Sequence, residues 1–468
     1  MDQRTKRDRA LINLVSEFEL MSQKGNISFL EERDFFALIN YYEDEYHIDR
    51  AIEVVDYALE QYKYRVEFYI QKIKLLMLAK RPEETLPIID KAEIISPLEF
   101  EIPILRAKVM IELNQTEEAL IIIRDLKVIC GVNDKVELFL CEAHIHEQNR
   151  NFNEMFESLK NVLNIEPENF EALEKIWVSV ELSKNYSASV KFHNDFLDDN
   201  PYSFHAWYNL GHAYACLGEY RKAISALEYS FLSNEEFELG YTDCAEICLQ
   251  IKDFKQALHI YNEALNVFGE DSELLVNIAQ CYVELNQFKK AKKVLCEAVE
   301  HDNYNDEIFY YLGRCFVHEE NWVNAINAFH KAIEIENRRE EYYSGLAKAY
   351  AQIGKHKKAN HYFAKATETG PEQSTFWFEH ASFLIQIGDT LSALDVLDEA
   401  EDHTFGADLI YCRAAALFNL GLKKQALEVL QEALDEDLEL SKVLFKVIPD
   451  LEADEDIQSI IRYFTLSR

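Results

Sequence analysis

The sequence predicts an all-α chain built as a solenoid of antiparallel helix pairs, and three observations carry that prediction. Of 468 residues, 48% are hydrophobic, while Gly and Pro number only 13 and 8. That composition supplies an extended core and too little turn chemistry for a strand-rich or disordered chain. Helical patterns come in pairs that repeat every 34 residues, and small residues return at fixed places within that period, as close helix packing requires.

The first element is a cap over residues 1–31. Leu11, Leu14, Val15 and Phe18 form one helical stripe, Gly25-Asn26 breaks it, and Ser28 with Glu31 reads as a capping box opening the first repeat. An alternative role for this helix is docking onto a partner. Twelve repeats then begin at Glu32, Val66, Phe100, Val136, Phe170, Phe204, Glu238, Ser272, Asp306, Glu340, Ser374 and Ala407; only the steps after Phe100 (36 residues) and Ser374 (33) depart from the period.

Within the repeat, the eighth position is small (Ala107, Ala143, Gly211, Ala245, Ala279, Gly313, Ala347, Ala381, Ala414), and so is the twentieth, from Ala51 and Ala119 through Ala223 to Ala426. A third small column, including Ala58, Ala92, Ala264, Ala298 and Ala332, lies one turn beyond bulky residues such as Leu227, Tyr261, Leu295, Phe329, Phe363 and Leu397. Large knobs facing small holes set a short interhelical distance. Aromatics open the second helix at Phe152, Tyr186, Tyr220, Phe254, Phe288 and Trp322, and prolines close repeats at Pro97, Pro167, Pro201 and Pro371.

This layout resembles the tetratricopeptide repeat family, whose signature Trp207, Leu210, Gly211, Tyr214 and Ala223 reproduce, and the resemblance runs from about residue 32 to 440. It implies a right-handed α-α superhelix, with first helices lining a concave groove and second helices outside. The expected organisation is a capping helix (1–31), an N-terminal array of three repeats (32–135), an irregular pair (136–203), a regular array of seven (204–440) and C-terminal capping helices (441–468). Within the irregular pair, Trp177, Ser189 and Phe196 replace small residues; compensating drift and a change of curvature both account for them. At the far end, Leu440, Val443, Leu444 and Val447 continue a helix to Pro449, and Ile457, Ile460, Ile461 and Phe464 mark a last one.

In the family, ligands lie against the first helices. At the ninth position Lys74, Lys108, His212, Arg314 and Lys348 are basic in a strongly acidic chain, and the fifth position adds Tyr208, Tyr310, Phe378 and Tyr411. These residues are expected to grip a protein or peptide with acidic or aromatic segments, unless the cations only neutralise acids on adjacent helices. Two asparagines at the sixth position, Asn209 and Asn277, are candidates for holding a peptide backbone. No repeat carries the fifth-position Lys with which family members clamp a chaperone C-terminus.

Chemistry and compartment follow from what the chain lacks. No GxGxxG, GxxxxGK[ST], HExxH or GxSxG motif occurs, so no enzyme, cofactor or metal site is expected; Cys141, His144 and His146 place only two ligand types on one face. Acidic residues outnumber basic ones 84 to 48, a formal charge of -36, which repels nucleic acid and anionic membranes. Nine scattered cysteines, no leader at the start and no long apolar run predict a cytoplasmic protein. The expected function is a non-catalytic scaffold or adaptor, with a regulatory or substrate-recruiting subunit of a separate enzyme as the alternative; self-association through the ends or convex face stays open.

Overall fold

The structure is a computed structural model that describes residues 2–23, 28–131 and 134–467, and side chains from residue 10 to 466 within those segments. Among the described residues all regular structure is helical: an N-terminal helix (Asp2–Gln23), twelve helix hairpins and terminal helices ending at Glu455–Ser467. The chain forms two compact units, Met1–Ser233 and Asn234–Arg468, each holding six hairpins. Ten of the twelve first helices start at the residue that the period predicts; the helix expected from Phe100 begins at Glu101 and the one from Val136 at Asp134.

The small columns are where helices touch. Ala51, Ala119, Ala223, Ala257, Ala291, Ala325, Ala359, Ala393 and Ala426 are each 0% exposed. Opposite them the knobs leave no room: a Cβ on Gly211 would sit 2.6 Å from Leu227 Cγ, and one on Gly313 2.6 Å from Phe329 Cε1. Phe329 is enclosed from the other side as well, since a Cβ on Gly345 would lie 2.8 Å from its ring. In the Phe170–Ser203 repeat, Ser189 stays fully buried at the alanine position, and Phe196 packs with Phe156, Phe192 and Leu173 in one cluster. Trp177 is half-buried there, 5.2 Å from the His212 ring.

Prolines act as predicted. The helices before Pro97, Pro167, Pro201 and Pro371 end two residues earlier, at Ile95, Ile165, Asp199 and Thr369. The next repeat then locks onto the turn: Trp207 Nε1 donates to the Pro201 carbonyl (2.8 Å) and Trp377 Nε1 to that of Pro371 (2.9 Å).

Each hairpin turns through one left-handed residue, at Tyr46, Lys80, Asn114, Arg150, Lys184, Gly218, Lys252, Asn286, Glu320, Gly354, Gly388 and Gly421. The following N–H reaches back to close the helix, as when Arg81 N donates to the Leu76 carbonyl (2.9 Å) and Glu219 N to that of Tyr214 (2.9 Å). Eight of these residues carry a Cβ, at a conformational cost of roughly 1 kcal/mol apiece.

The ends differ from expectation in two respects. Ser28 and Glu31 form no capping box: the helix starts at Glu32 behind an extended Glu31, and Ser28 Oγ contacts Met21 Sδ at 2.7 Å. The entry strand is pinned instead by the second helix of the first hairpin, Leu30 N donating to Gln61 Oε1 (3.2 Å) and Tyr62 Oη to the Leu30 carbonyl (2.8 Å). Gly25 and Asn26 lie outside the described residues. The N-terminal helix docks through fully buried Phe18 and through Glu19, whose carboxylate accepts from Arg50 (3.0 and 2.9 Å) and from Tyr42 Oη (2.5 Å). At the other end, Leu444, Val447 and Ile457 are buried as expected, while Leu440 is exposed. Asp454 and Asp456 pair there with Lys423 (3.1 and 2.6 Å), and Asp454 caps the last helix.

Opposite substitutions at two left-handed positions test this account of the turns. Nothing lies within 4 Å of a Cβ on Gly354, so Gly354→Ala pays for conformation alone and should destabilise by about 1 kcal/mol. Lys252→Gly relieves the same strain and should raise the midpoint of urea unfolding followed by circular dichroism.

Candidate functional site

The predicted site residues separate into three groups. Two are internal, contrary to the groove expectation. Asn209 is 3% exposed and donates its Nδ2 to the Leu173 carbonyl (3.0 Å), tying successive first helices together. Tyr411 is 0% exposed, and its hydroxyl donates to the Asp437 carbonyl (2.7 Å) at the turn into the C-terminal cap. Each polar group is satisfied inside by a carbonyl of another element, Leu173 in the preceding first helix and Asp437 at the end of a second helix.

A second group holds half-buried or exposed places without converging. Lys74 pairs with Glu101 (2.6 Å), Tyr208 meets the His212 ring edge-on at 4.4 Å, Asn277 is half-buried, and Phe378 packs against the core of its unit. Lys108 lines a small cavity of about 280 Å³ in the first unit with Glu137, Cys141, His144 and Glu171, and pairs with Glu137 (2.6 Å). The ion pair outweighs the desolvation of Lys108 and holds its ammonium above the ordinary lysine pKa.

The third group does converge. Tyr310, Arg314 and Lys348 share a cavity of about 480 Å³ that spans the first helices Asp306–His318, Glu340–Gln352 and Ser374–Gln386. Beneath it lies the Phe329 ring, 1% exposed and packed against Gly313 and Gly345, and Phe288 and Phe376 complete the aromatic lining. The cavity cations are engaged: Arg314 Nη1 bonds Glu284 Oε1 (2.8 Å) and lies 5.9 Å from the centre of the Tyr310 ring, while Lys348 Nζ bonds Glu379 Oε1 (2.5 Å). Glu379 also accepts from Ser344 Oγ (2.5 Å). Burial, reinforced by Glu341, Glu284 and Glu379, raises the Tyr310 phenol and keeps it a neutral donor. Every ninth-position Lys and Arg of the sequence analysis is thus paired with a carboxylate of a neighbouring helix.

Sequence reading missed Phe288, Phe329, Phe376 and Glu341 as cavity residues. The available signal was Gly345, a second glycine one repeat beyond Gly313 at a position where no other repeat has one. A further cavity of about 510 Å³ opens between the turns at Pro167 and Pro201, lined by Phe170, Tyr202, Phe204 and His205 and by none of the predicted residues.

Titratable groups elsewhere are structural. Burial pushes the thiols of Cys141 and Cys315 up to about 11 and those of Cys281 and Cys412 up to about 12, which leaves them protonated and unreactive. No cluster of three or more His, Cys, Asp or Glu that could hold a metal occurs among the described residues. His193 is fully buried, with Nδ1 against the Ser189 carbonyl (2.9 Å), and His380 is stacked on Phe363 with Nε2 at 2.6 Å from Asn360 Oδ1.

Family models for the tetratricopeptide repeat match residues 204–231, 249–303 and 345–408. A solved tetratricopeptide repeat protein of Parabacteroides merdae is 19% identical over 52% of this chain and 98% of its own (TM-score 0.43). The Cut9–Hcn1 hetero-tetramer of the APC/C is 14% identical over 92% of this chain and 94% of that one (TM-score 0.40). YrrB, described as a TPR protein with an unusual peptide-binding site, is 18% identical over 39% and 95% (TM-score 0.32). Comparison with curated protein sequences finds no match.

The two buried histidines set an acid limit. Burial lowers both to about 4 from an ordinary 6.5, so the unfolded chain takes up these protons first as the pH falls. Stability present above pH 6.5 is lost progressively down to pH 4, by up to roughly 3 kcal/mol for each residue. The thermal midpoint at pH 5 should lie below that at pH 7.5, and the gap should narrow in His193→Asn with His380→Gln.

Proposed function

We propose that this chain, a tetratricopeptide-repeat protein, is a non-catalytic scaffold that holds an extended segment of another protein against the first helices of its second unit. The observation that carries the reading is the cavity over Phe329. It is the place where three successive first helices bring the predicted residues Tyr310, Arg314 and Lys348 together beside half-buried aromatic rings. Aromatic anchors beside arginine are what make a few residues dominate a protein interface. The paired cations hold the aromatic rings apart and rim the cavity with fixed charge, which favours register over bulk adhesion.

A cytoplasmic setting fits the chemistry. All nine cysteines are free, six of them buried or nearly so, and among the described residues no helix is long and apolar enough to cross a membrane. The acidic surface disfavours nucleic acid as the partner.

Charge reversal at the cavity tests the proposal. Arg314 and Lys348 are 35% and 51% exposed in their side chains, so losing their ion pairs costs the fold little. The double variant Arg314→Glu, Lys348→Glu should keep the helical melt within a few degrees of the parent. Affinity purification of the full chain with mass spectrometry should lose the partner in that variant; the same partner recovered with both forms contradicts the assignment.

A further inference from the structure

We propose that the Phe170–Ser203 repeat carries a second docking surface, a trench of open aromatic rings and unpaired carboxylates that takes a basic stretch of a partner protein, Lys or Arg beside an apolar residue. The surface lies in the first unit and does not depend on the cavity over Phe329.

This repeat departs from the pattern where its helices would otherwise close up. At the eighth position Trp177, and at the twenty-seventh Phe196, stand where other repeats place small residues. The two helices of the hairpin, Phe170–Ser183 and Tyr186–Asp199, lie in close contact over less of their length than those of any other hairpin. At the end of the hairpin away from its turn are two cavities, of about 510 and 490 Å³. They share Pro167, Asp199 and Asn200, so one depression runs from the turns onto the second helices, with Phe196 in its wall.

The aromatic surface of the trench is open. Phe170 is 60% exposed and Tyr202 84%, and both line the first cavity. Two such rings beside one concavity leave apolar surface that a ligand can cover.

Its fixed charge is of one sign. Glu168 and Asp199 line the first cavity, Asp195 and Asp199 the second, and no Lys or Arg lines either. All three carboxylates are exposed and take part in no ion pair among the described residues. In three other cavities a lining cation is paired with a lining carboxylate: Lys108 with Glu137, Lys348 with Glu379 and Arg413 with Glu401. Burial holds the His205 imidazole below its ordinary pKa, so that ring adds no positive charge at neutral pH. Asp199 ends its helix, where free carbonyls oppose a carboxylate, and no basic residue in that last turn offsets it. A ligand cation relieves this repulsion, and the rings of Phe170 and Tyr202 receive a guanidinium or ammonium together with its methylene stem. An acidic stretch would meet three carboxylates and no cation.

A random dodecamer peptide library displayed on phage, selected against the purified full chain, supplies the probe, and synthetic copies of the recovered peptides are titrated by fluorescence anisotropy. One class of peptide should carry Lys or Arg next to an apolar residue. Its affinity should fall about fivefold in Glu168→Gln with Asp199→Asn, and about tenfold or more in Phe170→Ala with Tyr202→Ala. It should not change in Arg314→Glu with Lys348→Glu. The four side chains substituted at the trench are exposed, so the helical melts should match the parent's. Replacing the peptide's basic residue by norleucine should weaken it as much against the parent and no further against the carboxylate variant. Peptides lost with the aromatic pair but indifferent to the carboxylates would overturn the selection of a basic stretch. A selection that yields no peptide sensitive to the trench substitutions, or basic peptides that respond only to Arg314→Glu with Lys348→Glu, would overturn the surface itself.

Discussion

The close approach of helices at alanine and glycine columns is the constraint on which the rest of this structure depends. Alanine at the twentieth position is fully buried from Ala51 to Ala426, and at Gly211 and Gly313 the facing Leu227 and Phe329 occupy the volume of a Cβ. Fixing that distance fixes which side of each first helix is covered. The opposite side remains open, and it is there that Tyr310, Arg314 and Lys348 assemble. Phe329 links the two: Gly313 and Gly345 admit it deep enough to brace adjacent repeats, and it lies buried directly beneath the cavity.

Charge follows the same logic. In a chain of -36, an open face of helices would carry self-repulsion unless its acids were matched locally. Lys74, Lys108, Arg314 and Lys348 provide that match, each to a carboxylate on a neighbouring helix. Pairing makes these cations part of the wall instead of free hooks for an anion. What distinguishes the cavity is therefore that two such paired cations, Arg314 and Lys348, meet over an aromatic lining drawn from successive repeats.

Much of the fold was legible because its signals are periodic. Ten helix starts follow from the 34-residue register to the residue, since a one-residue slip would turn every alanine of a column out of its contact. The two inexact starts flank the irregular spacing after Phe100. Turn conformation was mostly hidden: only the hairpins at Gly218, Gly354, Gly388 and Gly421 announce a left-handed residue, whereas Tyr46 or Glu320 adopts it because the surrounding hairpin dictates it. The site was legible in part. Position within the repeat identified Tyr310, Arg314 and Lys348, but it misplaced Asn209 and Tyr411, whose partners Leu173 and Asp437 come from other elements. Phe329 and Phe376 read as core residues because their columns are core columns, and both are buried under the cavity that they help to line.

The central claim is that the open face over Phe329, between Asp306–His318 and Ser374–Gln386, is where a partner segment sits. A crystal structure of the full chain with a bound peptide tests it most directly. The account predicts peptide density in the cavity above Phe329, against Tyr310, Arg314 and Lys348. Density confined to the second helices, to the N-terminal helix or to the turns at Pro167 and Pro201 would contradict it.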